Sequence, residues 1–69
     1  MKINKKMINE VMKDMLNDDE RIVDIDIYDE KMISVIVITK HHNIWRYVLD
    51  IFNNKIILHS INLLNWKLG

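Results

Sequence analysis

Between Ile3 and Leu16 apolar residues return every three or four positions, as Ile3, Met7, Ile8, Val11, Met12, Met15 and Leu16. At about 100° per residue they fill one half of a helix, leaving Lys6, Asn9, Glu10, Lys13, Asp14 and Asn17 on the other. Asn4 stands just ahead, where its side-chain oxygen can accept a first-turn N–H. The pattern predicts an amphipathic helix from about Lys5 to Asn17 or Asp18.

After Arg21 the period drops to two. Val23, Ile25 and Ile27 alternate with Asp24, Asp26 and Tyr28, the signature of a half-buried strand. Met32 to Thr39 is apolar on both faces, so this second strand is expected to be central. Lys40 to Asn43 turns the chain, and Ile44 to Phe52 forms a third strand with Trp45, Tyr47, Leu49 and Ile51 on one face. Asn53-Asn54 suits a two-residue hairpin, because asparagine tolerates positive φ. Lys55 to His59 makes a fourth strand, with His59 expected to be partly buried. Ser60 to Gly69 reads as a short helix, with extension of the fourth strand as the alternative.

The expected fold class is therefore α+β: an N-terminal helix packed on a four-stranded antiparallel meander, closed by a short C-terminal helix or strand extension. Short connections make sequential strands neighbours. Met7, Val11, Met12 and Met15 are expected to pack on Val23, Ile25, Trp45, Tyr47 and Leu49. At 69 residues the chain fits a single small domain, residues 1–69.

Composition narrows the function classes. With 49% hydrophobic and 29% charged residues the chain can build a core. It holds no cysteine, which removes disulfides and thiolate sites. Its densest apolar stretch, Met32 to Ile38, is too short to span a bilayer, and no apolar run follows the basic start. The expectation is a cytoplasmic protein with no membrane association. Ile, Asn and Lys supply 29 of the 69 residues, while Ala, Pro and Gln are absent. Such usage points to an AT-rich coding sequence, as in a low-GC bacterium, a phage or plasmid of one, or an archaeal virus.

Candidate chemistry is sparse. Asp24 and Asp26 project from one strand face about 7 Å apart, but a hard-cation site needs about six oxygen ligands. His41-His42 point to opposite sides of an extended segment and do not match zinc spacing. The only glycine is Gly69, so no phosphate-cradling loop exists. No catalytic constellation, metal site or cofactor is expected, and the chain is read as a non-enzyme. Trp45 and Tyr47 share their face with Leu49 and Ile51, which marks them as core residues rather than a base-stacking platform. Ten basic residues balance ten acidic ones, so nucleic acid is an unlikely partner.

The charge is nonetheless segregated. Between Asp14 and Glu30 eight carboxylates face Arg21 alone, whereas the segments on either side are basic. Asp18, Asp19 and Glu20 follow the helix C-terminus, where the macrodipole disfavours anions. They do nothing for the helix there. The expected function is a non-enzymatic protein-binding module, in the character of a phage- or mobile-element-encoded inhibitor of a host defence or nucleic-acid-handling protein. Asp18, Asp19, Asp24 and Asp26 would meet a basic partner surface, with Tyr28 as an apolar anchor. The alternative is a small nucleic-acid-binding regulator acting as a dimer. One helix cannot cover both faces of the sheet, which leaves Met32 and Ile36 or their alternates, with Val48 and Phe52, as an exposed apolar patch. A homodimer or higher assembly through the sheet face or the C-terminal segment is therefore also expected.

Overall fold

The computed structural model describes residues 2–29 and 32–64. Helix α1 spans Lys5–Met15, followed by β1 (Glu20–Asp29), β2 (Met32–Thr39), β3 (Ile44–Phe52) and β4 (Lys55–Leu63). The strands form one antiparallel sheet in the order β1-β2-β3-β4, the expected meander. The Cα envelope is only 15 Å thick. Among the described residues, the helix lies on one face of the sheet and no other element covers the opposite face.

The α1 N-terminus forms as expected: Asn4 Oδ1 accepts the Met7 N–H at 2.9 Å. The C-terminus comes earlier than the apolar spacing suggests, with Leu16 already extended at φ −90°, ψ 149°. The sequence Asn17 to Glu20 forces this stop. Glu20 N–H donates to Asn17 O at 3.1 Å, and the Glu20 carboxylate accepts the Asn17 N–H at 2.9 Å. A tight turn closed from both sides is thereby set between helix and sheet.

Ile8 and Met12 of α1 are fully buried against Ile25, Ile33, Val35, Val37, Tyr47 and Leu49. Met15 packs at the margin, as do Ile3, Leu16, Trp45 and Ile51. The helix presents a slightly different stripe from the expected one, since Met7 and Val11 are only half-buried.

A larger departure occurs on β1. Val23 was expected in the core but is 57% exposed. Its neighbours explain why: Ile22 pairs with Val37 and Asp24 with Ile36, leaving Val23 as one extra residue. A bulge of this kind resets the alternation. Ile22 enters the core face in place of Val23, and Ile25 and Ile27 keep theirs. A second shift between Ile27 and Asp29 makes Tyr28 the extra residue at the other end.

The two-residue β3–β4 turn forms as the asparagines predict, with φ 52° at Asn53 and 60° at Asn54. Beyond it the chain takes the strand alternative for the residues after His59. β4 continues through Leu63, and Leu64 N–H still donates to Ile44 O at 2.8 Å. β3 is nine residues long and offers that many partners, whereas an isolated helix of eight or so residues is marginal. The remainder of the proposed helix, 65–69, lies outside the described residues, as does Trp66. His59 is the extra residue of a third bulge, flanked by Leu58 opposite Leu49 and Ser60 opposite Val48. It is exposed rather than partly buried.

Candidate functional site

Two surfaces result from this architecture. On the helix side, α1 covers β1 to β3 but stops short of β4, where Leu58, Ile61 and Leu63 remain between 41% and 44% exposed. The other side has no cover among the described residues. By the register it presents Asp24 and Asp26 from β1, and Met32, Ser34, Ile36 and Ile38 from β2, and Tyr28 lines a cleft on the same side. Arg46, Val48, Asp50 and Phe52 follow from β3, then Ile57 from β4. Tyr28, Met32, Phe52 and Ile57 are all among the exposed large hydrophobics.

A cleft of about 210 Å³ opens on this side, lined by Tyr28, Met32, Ser34, Arg46 and Val48. Ser34 forms its floor and is only 4% exposed. Strict alternation from Asp24 and Asp26 already puts Tyr28 on this side at the level of Met32, and the bulge leaves it as the extra residue beside the Asp29–Met32 pair. The cleft therefore combines an aromatic wall, an aliphatic floor margin and one guanidinium.

The five residues expected to meet a partner do not form one patch. Asp18 and Asp19 occupy the turn between α1 and β1, both exposed. They border a cleft of about 400 Å³ with Glu20, Arg21, Ile38, Thr39, Lys40 and His42. Asp24 and Asp26 lie midway along β1, exposed and on the open side. Tyr28 is at the far end, roughly 30 Å from Asp19 at the usual rise per strand residue. The acidic groups thus run as a rim along one sheet edge, with Tyr28 and Val23 as apolar points on it. Glu20 differs from its neighbours, because its carboxylate is committed to the Asn17 N–H and approaches the Tyr47 hydroxyl at 3.5 Å. Burial first, and then this carboxylate, push the Tyr47 phenol above its ordinary value.

The alternation places Met32 and Val48 on the uncovered face and Tyr28 on the outward side of β1, but it does not show that Ser34 and Arg46 join them in a cleft. Among the described residues no three acidic or histidine side chains converge as a metal site requires. No helix among them is long and apolar enough to cross a membrane. Compared with known proteins, the chain matches no family model, no curated protein and no solved structure.

Proposed function

We propose that this chain is a non-enzymatic protein-binding module that docks through its open sheet face, with the β1 carboxylates as an acidic rim against a basic partner surface. One observation supports this above the others. An antiparallel sheet normally turns polar residues to its solvent side, yet here that side carries Tyr28, Met32, Ile36, Ile38, Val48, Phe52 and Ile57. Exposed apolar area of that extent, rimmed by charge, is typical of interaction sites. The apolar strip would supply affinity and the aspartates would steer encounter and set register. A phage- or mobile-element-encoded inhibitor of a host protein is the biological setting that best suits such a module, in the cytoplasm and without a cofactor. The nucleic-acid alternative draws little support, since Arg21, Arg46 and Lys55 share the open face with Asp24, Asp26, Asp29 and Asp50.

The test compares affinity capture from cells of the source organism by the native chain and by two variants. One carries Asp18→Asn, Asp19→Asn, Asp24→Asn and Asp26→Asn together; the other carries Tyr28→Ala. All five residues are exposed, so the fold should survive. A protein held by the native chain, released as salt rises and retained less by the quadruple variant bears out the acidic rim. Equal retention and equal salt dependence would reduce those carboxylates to a solubilising role.

A further inference from the structure

The two edges of the sheet are built differently. β1 carries Glu20, Arg21, Asp24, Asp26 and Asp29 and is interrupted by two bulges. Charge and bulges are the usual means of keeping an edge from pairing with another strand. β4 has neither defence in full. Lys55 is its one charged side chain, at its first position, and a single bulge interrupts it. It also holds four of the large hydrophobic residues left exposed in this chain or at its core margin, Ile56, Leu58, Ile61 and Leu63.

The register shows what that bulge does. Ile56, Leu58, Ile61 and Leu63 stand opposite Ile51, Leu49, Tyr47 and Trp45 in turn. The extra residue at His59 lets Leu58 and Ile61, three apart in sequence, occupy positions only two strand steps apart in space. All four side chains therefore point to the helix side at even spacing. The same four turn their backbone groups outward. Leu64 N–H is directed at β3, so by alternation Asn62 faces β3 while Ile61 and Leu63 face away. From the hairpin end, Phe52 and Lys55 close the two-residue turn, so Ile56 and Leu58 face away.

This arrangement is symmetric about Ser60. We infer that β4 pairs antiparallel with β4 of a second copy, around a two-fold axis at Ser60, to give one continuous sheet. The inference uses an edge that the open-face reading above does not involve. Leu58 would stand opposite Ile61 of the second copy and Ile56 opposite Leu63, each exchanging an N–H and a C=O. The two helices would lie on the same face, one on each side of a merged aliphatic ladder. No like charges meet, since Lys55 sits at the outer end of each strand. With the backbone edge included, such a contact buries on the order of 1,000 Å² in total, the lower limit for a specific interface. An interface at that limit belongs with the weak, reversible ones, so the dimer is sought at high protein concentration.

The register can be read directly because the chain has no cysteine of its own. Across the axis Ser60 would meet its own counterpart at about 4.5 Å between Cα atoms, within disulfide reach. Asn62 would lie roughly 13 Å from its counterpart along the strands. Mild oxidation should convert Ser60→Cys largely to a linked dimer and leave Asn62→Cys monomeric. Sedimentation of the native chain at about 100 µM should show a dimer, and Leu58→Lys with Ile61→Lys should weaken it at least about 100-fold by facing like charges across the ladder. A monomeric native chain, or a dimer in which Ser60→Cys links no better than Asn62→Cys, would overturn the inference; the cysteine pair decides the matter even if the lysine variant folds poorly.

Discussion

Replacing Ile8 with alanine tests the packing of helix on sheet most directly. Ile8 has no exposed surface and belongs to the same cluster as Met12, Val35 and Leu49. Its truncation removes buried methylene and methyl groups and leaves a hole beneath α1. Substitutions of this type cost about 2–5 kcal/mol, depending on how far the surroundings collapse. A chain of this length has a total stability of roughly 3–10 kcal/mol at typical values per residue. The loss is therefore a large share of what holds the fold. Val23→Ala is the matched control, also aliphatic but 57% exposed on its bulge, and its cost should stay below about 1 kcal/mol. Urea unfolding followed by circular dichroism separates the two, with similar slopes and a much lower midpoint for Ile8→Ala. On heating, Ile8→Ala should melt at least about 8 °C below the native chain. If the two variants unfold together, or if Val23→Ala is the worse, then the face assignment of β1 and the seat of α1 are both mistaken.

Two further outcomes follow from local chemistry. Because burial and Glu20 raise the Tyr47 phenol above 10.0, the folded chain holds that proton more tightly than the unfolded chain. The resulting stability is complete below about pH 10 and is lost as pH climbs through the folded value; melting from about pH 9 to pH 11 should therefore fall more steeply for the native chain than for Tyr47→Phe, and parallel curves would refute the environment assigned to the ring. At the hairpin, Asn54 sits at φ 60°, so Asn54→Gly should hold or raise the urea midpoint while Asn54→Val should lower stability by about 1 kcal/mol or more. Equal midpoints would argue against a left-handed turn there.

The elements themselves were legible because each carried its own period. The switch from 3.6 to 2 after Arg21, the two-sided apolar run of β2 and the Asn53-Asn54 pair each point to one local structure, and all agree with a meander. The misplaced residues share a single cause. Val23 and His59 are ordinary strand residues by composition, and nothing in either marks it as the extra one. A bulge is decided by whether both halves of a strand can face the core at once. Ile22 wins over Val23 because pairing with Val37 places it under the helix while Ile25 and Ile27 stay in phase. The apolar spacing likewise overruns the end of α1, since Leu16 continues it while the Asn17–Glu20 turn closes the helix. The acidic residues were legible as a block in sequence but not as a layout, because strand geometry spreads Asp18 to Tyr28 along a whole edge.

The bulges also give the two edges their separate characters. On β1, the bulge that pushes Val23 out of the core phase adds it to the outward-facing Tyr28 as an apolar group beside Asp24 and Asp26, on an edge that charge otherwise keeps from strand pairing. Such an edge can bind by side chains but hardly by backbone. On β4 the bulge has the opposite effect. It gathers Ile56, Leu58, Ile61 and Leu63 onto one face and one backbone phase, so that edge can bind by backbone and side chains together. A second copy engaged at β4 would leave the open face of each chain uncovered. Dimerisation and partner docking would then be compatible, and two acidic rims would stand at opposite ends of one continuous sheet, giving a bivalent module whose two sites each recruit a partner independently.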